Sequence, residues 1–519
     1  MEYNFMYWLS GLFGGVTDAV AGDYAVLVHR VVGVGLLLSA LVLTWQLEVQ
    51  LVGRGALSLG LLMVVAAYSG YPLTMSFDIV SVFLIVAGAS LLVRAVVKRK
   101  ISCVIASGIV LGCMTFARIP NVLQFFLITV VPICMAGSSR EKIRYCAGFI
   151  CGYLGGTLLI IGIMELLGHL PVFIDNIATL RNLASDSEAS HGIVNLIMAQ
   201  FNYYASALYL MAKIAVLVFI AVLCQRFLSR NPLRGVIYIA EGLYVCYMLW
   251  STSAVMVLTA ICVPALLVVI INDRRSTIGI VALVALLSAL IYPIGSDGAG
   301  NGGSIIYMLA IPVALNYYRN WNVDLRGKEM RIPTVAIIGF PAICIAIWLT
   351  VTLRGAFYFD DTPLWKMTTE ANVSKLRGIR MSRQRAEIIE AGANMIGRHV
   401  QPGDTLMVYG SAPMINYLTS TRPYAGTSWP ELESAAGISG RLHRSCESGS
   451  FPDICVQRFA TIGYIWGKPS DSFVRGEDKA TENVFHSNQK WRVISDFLKE
   501  HNYVKVDSTS HFDLWVRIR

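Results

Sequence analysis

The sequence predicts a polytopic α-helical membrane protein, with about 12 transmembrane helices, that ends in a C-terminal extracytoplasmic α/β domain. Three observations carry this expectation. Of the 519 residues, 55% are hydrophobic and only 14% are charged, where a soluble globular chain carries about 25% charged residues. The charges are also uneven: residues 1–353 hold 21 Lys+Arg and 15 Asp+Glu, and residues 354–519 hold 21 and 18. Third, the apolar residues of the first part gather into long runs. This composition excludes a soluble enzyme, a disordered chain and a coiled coil. Residues 1–353 read as a multi-pass domain and 354–519 as a soluble domain large enough to bury a core of its own. The net charge of +9 is no nucleic-acid footprint, because most of the excess sits in short loops. No short repeat, low-complexity tract or polar linker interrupts the chain.

Twelve apolar runs are expected to cross the bilayer as helices, since backbone groups in hydrocarbon must be satisfied within the segment. They are Tyr24–Leu47, Gly55–Gly70, Asp78–Val97, Ile101–Ala117, Pro120–Ala136, Tyr145–Leu167, Tyr204–Cys224, Gly235–Trp250, Thr252–Ile271, Thr277–Ile294, Ser304–Tyr318 and Ile332–Val351. Several fall short of the roughly 20 residues a bilayer core requires, so broken or tilted helices are expected. Lys and Arg set the orientation. One set of loops, from Arg54 through Arg331, holds sixteen of them, and the alternate set holds only Arg118 and Arg181. The rich set is therefore placed in the cytoplasm, which puts Met1–Asp23 and the C-terminal domain outside. No basic n-region or long apolar core marks Met1–Asp23 as a signal peptide.

Nine of the eleven cysteines lie in apolar runs and behave as small hydrophobes. Cys446 and Cys455 lie in the outer domain, where a lone pair at short spacing predicts a disulfide. Neither CxxC spacing nor a histidine cluster points to zinc, and no metal ligand set is expected. In the soluble domain, Ser382–Val400 is an amphipathic helix with Ala386, Ile389, Ala393 and Ile396 on one face. Thr405–Tyr409 is a buried strand, followed by Gly410-Ser411-Ala412-Pro413 and a helix with Met414, Tyr417 and Leu418. Ala460–Trp466, Tyr503–Val506 and Phe512–Ile518 are further strands, and Trp491–His501 is a helix. Alternating strands and helices predict an α/β fold. Gly410 marks a tight strand-to-helix turn, because GxGxxG and GxxxxGK[ST] are both absent.

The chemistry-bearing residues gather in outward-facing segments. Asp78 ends the loop from Gly70 and serves either as an N-cap or as a carboxylate facing an outer cavity. Arg118-Ile119-Pro120-Asn121 joins two short runs. Arg118 is suited to bidentate phosphate binding, with a snorkelling or structural role as the alternative. Asp297 lies in the hairpin Gly295–Asn301, whose glycines allow a backbone to approach a ligand. His191 lies in the outer loop His169–Tyr203, together with Asp175, Asp186 and Glu188. Within the runs, Glu165, Lys213 and Glu241 are costly to bury. Lys213 and Glu241 stand on consecutive antiparallel helices at depths that differ by roughly 8 Å, which long side chains nearly span, so a buried ion pair is expected, with a proton relay as the transporter alternative.

Taken together, these features resemble the GT-C superfamily of polyprenyl-phosphate-sugar glycosyltransferases, most closely the bacterial multi-pass, dolichyl-phosphate-mannose mannosyltransferase-like group. Three stretches carry the resemblance: Tyr7–Phe13 followed by His29-Arg30; Gly112–Asn121, ending Ala-Arg-Ile-Pro-Asn; and Gly403–Pro423 with Asp404, Pro413 and Tyr417-Leu418-Thr419. It implies a bacterial inner-membrane protein with its C-terminal domain in the periplasm. It also implies a lipid-linked sugar donor, a glycan or glycolipid acceptor, and an inverting displacement. In those enzymes the catalytic carboxylate lies in the first outer loop. Here only Glu2, Asp18 and Asp23 precede the first run, and none fits an acid-aromatic motif. The resemblance thus implies either a further helix and loop upstream of Met1 or a chain without that base.

The expected function is transfer of a sugar from the donor to an outer-face acceptor. Asp78, Asp297 and His191 are the expected acid/base groups, and Arg118 and Asn121 the donor-phosphate ligands. Membrane lipids are partners, nucleic acid is not, no nucleotide or redox cofactor is implied, and a divalent metal stays open. The alternatives are a transporter or flippase of lipid-linked saccharides and a non-catalytic envelope assembly protein.

Overall fold

The computed structural model describes residues 7–71, 73–185, 193–227, 232–295, 303–324, 329–332, 334–354, 362–410, 412–430, 433–452, 454–458 and 488–518. In chain order the helices up to residue 354 are α1 (Trp8–Ala21), α2 (Ala25–Val52), α3 (Arg54–Tyr68), α4 (Phe77–Lys98), α5 (Ile101–Met114), α6 (Val130–Cys134), α7 (Ser139–Leu166), α8 (Leu170–Ser185), α9 (Ile193–Phe227), α10 (Leu233–Ser251), α11 (Ala254–Asp273), α12 (Thr277–Ile291), α13 (Ile311–Asn320) and α14 (Thr334–Arg354). Every apolar run of the sequence is helical. Six helical stretches among the described residues are long and apolar enough to cross a membrane: Trp8–Val52, Phe77–Lys98, Ser139–Leu166, Ile193–Cys224, Ala254–Asp273 and Ala336–Arg354. The protein is a membrane-embedded helical protein with a small C-terminal sheet.

Two of the short runs are broken, as their length demands. Pro120–Ala136 becomes a 3-10 stretch, Ile119–Thr129, and then α6; Ser304–Tyr318 becomes a 3-10 stretch, Gly303–Leu309, and then α13. Proline stands near the first turn of Ile119–Thr129 and of α13, where a missing N–H costs nothing. Two segments outside the expected spans are helical. The N-terminal stretch forms α1, and the outer loop from His169 contains α8 and the beginning of α9.

The chain forms two compact units: Val32–Leu166 with Met198–Thr352, and Met1–Val31 with Leu167–Ile197 and Leu353–Arg519. The C-terminal residues thus share a unit with two segments that composition groups with the apolar part. In the helical unit the tightest seam is between α5 and α7. Each helix carries glycines four apart, Gly108/Gly112 and Gly152/Gly156, and the fit is reciprocal. A Cβ on Gly108 or Gly112 would overlap the carbonyl oxygen of Phe149 or Tyr153, and one on Gly152 or Gly156 that of Ile105 or Ile109. Small residues at this spacing let helix backbones meet where lipid offers no hydrophobic driving force. Thr115 and Tyr153 close the end of the seam through a 2.8 Å hydroxyl contact.

The other unit is a three-layer α/β/α domain. Its sheets use β3 (Thr369–Glu370) with β4 (Arg380–Met381), and a five-stranded sheet of β5 (Thr405–Tyr409), β6 (Arg422–Pro423), β7 (Ile454–Arg458), β8 (Tyr503–Ser508) and β9 (Phe512–Arg517) in the order β6-β5-β7-β9-β8. A further short pair, β1 (Asn322–Asp324) and β2 (Glu329–Arg331), precedes α14. β5 pairs in parallel with β6 and β7, and β9 runs antiparallel to β7 and β8. Alternation along β5 sets the layers. Leu406 and Val408 face α15 (Arg383–Gly397) through Ile388, Met395 and Ile396. Met407 and Tyr409 face α17 (Ala435–Glu447) and α18 (Asn488–Glu500) through Ile438, Leu442, Trp491 and Ile494. The short α16 (Met414–Leu418) follows β5 as expected. The central strand β7 begins six residues before the expected strand Ala460–Trp466, which lies outside the described residues.

α1 belongs to this unit and is tied to it by polar contacts. Trp8 is buried and its Nε1 donates to His169 Nδ1 at 3.2 Å. Tyr417 Oη donates to Asp18 at 2.9 Å, and Lys375 Nζ lies 3.6 Å from the same carboxylate. Burial, reinforced by Asp18, pushes the Tyr417 phenol up to about 12, so the phenol keeps its proton across the physiological range. The bond expected between Cys446 and Cys455 is not made. Cys446 is a free thiol at the end of α17, 3.6 Å from His501 Nε2 and 3.9 Å from Tyr424 Oη. Cys455 lies in β7 with its backbone opposite Met407 and Trp515, and its side chain lies outside the described residues.

The α5–α7 seam makes a direct prediction. Gly112→Ala should destabilise the detergent-solubilised protein by about 1–3 kcal/mol, as overpacking of a closed contact does. Gly155→Ala, where nothing stands within 4 Å of the added carbon, should leave the melting midpoint unchanged.

Candidate functional site

The site grows from helix ends that meet at one end of the helical unit. Ser76, not Asp78, caps α4: its Oγ accepts from Ile79 N at 3.4 Å. This overturns the N-cap reading of Asp78 and leaves its carboxylate in the first turn, free to turn elsewhere. It turns to α12. Tyr292, at the C-terminal end of that helix, donates its phenolic proton to Asp78 Oδ1 at 2.5 Å. Asp78 itself is only partly buried. The loop before it is wedged in place, because Thr74 and Met75 backbone atoms press on Gly33 of α2 so closely that no Cβ fits there.

Arg118 reaches the same tyrosine from the link between α5 and the Ile119–Thr129 stretch. It is 5% exposed. Its Nη1 donates to the Tyr292 carbonyl at 2.7 Å and its Nη2 to the Ile294 carbonyl at 3.1 Å. The guanidinium carbon stands 5.3 Å from the Tyr292 ring centroid. These carbonyls lie at a helix C-terminus, where no intrahelical donor remains and a cation is favoured. Gly295 follows with φ of 84° and lies against Pro120, where a Cβ would collide with the ring. Asn121 is buried and donates to Ser81 Oγ of α4 at 2.7 Å. Gln124 Nε2 lies 3.5 Å from the Ser288 carbonyl of α12. The segment 118–124 therefore stitches α4 to α12.

The geometry changes two expected roles. Asn121 spends its amide on Ser81 and on the Met114 carbonyl, at 3.4 Å, so it braces the helices instead of facing a ligand. Arg118 directs two donors to backbone carbonyls, which makes it a positioning residue for Tyr292 and the segment after it. Asp78 and Arg118 are brought together, through Tyr292. His191 and Asp297, like Asp186 and Glu188, lie outside the described residues. The expected ion pair between Lys213 and Glu241 is absent. Lys213 Nζ instead stands 4.2 Å from the ring centroid of Tyr209, one turn back on α9, and Glu241 Oε1 is buried without a hydrogen-bond partner among the described residues. Depths within side-chain reach on neighbouring helices did not give a shared face.

Tyr292 was not among the expected site residues. An aromatic at the end of an apolar run reads as an interfacial belt residue, and nothing local shows that its hydroxyl meets an acid 214 positions away. The basic residues occupy the far ends of the same helices. Arg99, after α4, pairs with Glu141 at 3.0 Å, Lys142 Nζ donates to the Pro132 carbonyl at 3.0 Å, and Arg319 Nη2 donates to the Val52 carbonyl at 3.4 Å. The acid, phenol and guanidinium thus stand at the end where Lys and Arg are scarce. Among the described residues no group of three or more His, Cys, Asp or Glu side chains is arranged to hold a metal. No family model matches the chain, and no curated protein matches it.

The bracing role of Arg118 is testable. Arg118→Met should lower stability by about 2–4 kcal/mol, because two carbonyls lose charge-assisted donors in a buried setting. Arg118→Lys should recover less than half, since one ammonium cannot span both carbonyls. Thermal melts in detergent, read by intrinsic fluorescence, measure both.

Proposed function

We propose that the protein is a membrane glycosyltransferase-like protein that moves a sugar from a polyprenyl-phosphate donor to a glycan or glycolipid acceptor on the outer face of the membrane. The observation that carries the reading is the Asp78–Tyr292–Arg118 cluster: a carboxylate, a phenol and a buried guanidinium at the cation-poor end of a helical bundle. A polyprenyl carrier keeps its tail in hydrocarbon and its phosphate at the interface, so its chemistry belongs at a helix-end site of this kind.

In the proposed reaction the acceptor hydroxyl oxygen attacks the anomeric carbon, and the bond from that carbon to the carrier phosphate breaks with inversion. The free oxygen of Asp78 takes the hydroxyl proton. Tyr292 holds the other oxygen and fixes the direction of the carboxylate. The positive charge of Arg118 favours the departing phosphate while its donors hold the segment that carries Tyr292. Asp297 and His191 complete the proposal as outer-loop groups. The twelve runs are proposed as twelve membrane segments with the Lys/Arg-rich ends in the cytoplasm. In this reading the C-terminal domain lies in the periplasm of a bacterial inner-membrane protein.

Two experiments test this reading. Vesicles bearing the native protein should transfer labelled sugar from a synthetic polyprenyl-phosphate donor to endogenous acceptor. Asp78→Asn should reduce that rate by about 10²–10⁴-fold, the usual worth of a positioned base, and Tyr292→Phe by roughly tenfold. Full activity in Asp78→Asn, or no donor-dependent transfer by the native protein, would overturn it. For topology, cysteines introduced at Arg383 and Ser138 should differ: a membrane-impermeant maleimide added to intact spheroplasts should label the first alone, and the reverse pattern inverts the orientation.

A further inference from the structure

The buried stripe of α2 contains a carboxylic acid. Gly33, Leu37, Ala40, Thr44, Glu48 and Val52 recur at three- and four-residue spacing and form the face that α2 turns into the bundle. Glu48 is 0% exposed, and neither of its carboxyl oxygens meets a hydrogen-bond partner among the described residues. Thr44, one turn earlier on the same face, is also fully buried with its hydroxyl unpartnered. An ionised carboxylate isolated in apolar surroundings costs far more than the group's protonation. Among the described residues no Lys, Arg or His forms a hydrogen bond or ion pair with Glu48. The buried Cys262 thiol of α11 lies within electrostatic reach of Glu48. Around Cys262 stand the phenols of Tyr203, Tyr307 and Tyr318. Tyr203 and Tyr307 share Thr259 Oγ1 at 2.6 and 2.5 Å, and Tyr318 donates to the Ile261 carbonyl at 2.9 Å.

We propose that Glu48 is a proton-binding site within the bundle, holding one exchangeable proton that enters and leaves at the Arg54 and Arg319 end. The route is short. Glu48 is one turn from Val52, about 6 Å along the axis, and the Val52 carbonyl already receives Arg319 at 3.4 Å. Release breaks the carboxyl O–H bond, leaves the electron pair on Glu48 and hands the proton to water at that end. The ligand is the hydrogen ion and not a metal cation, because two carboxyl oxygens and one hydroxyl are too few for a hard cation that demands six or so oxygens. An intramembrane acid of this kind is a functional feature by default, since an apolar residue would fill the same place at lower cost.

Infrared spectroscopy of the full chain in lipid vesicles tests the proposal. The native protein should show an acid carbonyl band at neutral pH that is lost in Glu48→Gln. In the native protein that band should convert reversibly to carboxylate absorption as pH rises, with no dependence on sodium. Should Glu48→Gln fail to fold, Glu48→Asp keeps the acid and should shift the same band. A spectrum unchanged by either substitution would overturn the proposal. So would a band that persists over the whole pH range in which the protein stays folded, which marks a fixed structural acid. A carboxylate at Glu48 whose absorption follows sodium would replace the proton site by a metal site.

Discussion

A guanidinium cannot shed its charge, so a buried one must find acceptors in fixed places, and much of the helical unit is arranged around that demand. Arg118 finds its acceptors in the two carbonyls that α12 leaves open as it ends. The bargain works in both directions: the helix end gains donors, and the cation gains acceptors. It holds only if Arg118 arrives at the right level. The glycine seam with α7 fixes the height of α5, Pro120 turns the chain against Gly295, and Asn121 ties the turn to Ser81. Tyr292 is then held from its backbone side by Arg118 and from its hydroxyl side by Asp78. The orientation of the acid is thus the last consequence of a packing contact two helices away.

Much of the helical architecture was legible because its cause is local. Hydrocarbon tolerates only internally bonded backbone, so a run such as Asp78–Val97 had one structural option, and α4 takes it. The C-terminal α/β domain was legible where burial is complete, as at Thr405–Tyr409, whose alternating residues serve two opposite cores. It was less so at β7. That strand borrows its pairing from β5 and β9, and its pattern of Ile, Cys, Val, Gln and Arg carries little of its own. α1 and α8 were hidden for different reasons: α1 is as apolar as the long helices but has only 14 residues, too few to read as a span, and α8 is only moderately apolar.

The site was legible in its charges and illegible in its connections. Asp78 and Arg118 stand out because ionisable groups are rare in this part of the chain. Tyr292, which joins them, has no such rarity. Lys213 and Glu241 show the converse error, since a depth within side-chain reach says nothing about azimuth. Glu48 was missed because its run was closed at Leu47, where the polar residues begin; counting the buried face by turns from Gly33 leads directly to it.

The two 3-10 stretches bear on how a short run can reach across a bilayer. A 3-10 helix rises about 2.0 Å per residue against 1.5 Å for an α-helix. The eleven residues Ile119–Thr129 and five of α6 therefore extend about 30 Å, and the seven of Gly303–Leu309 with ten of α13 about 29 Å. Wound as α-helix throughout, the same residues would extend only about 24–26 Å, short of a hydrocarbon core of about 30 Å. The tighter, more elongated coil would let sixteen or seventeen residues match a thickness that normally takes twenty. In the proposed twelve-segment topology, overwinding would be the means by which these segments avoid hydrophobic mismatch, and lengthening them with ordinary helix formers would remove the need for it.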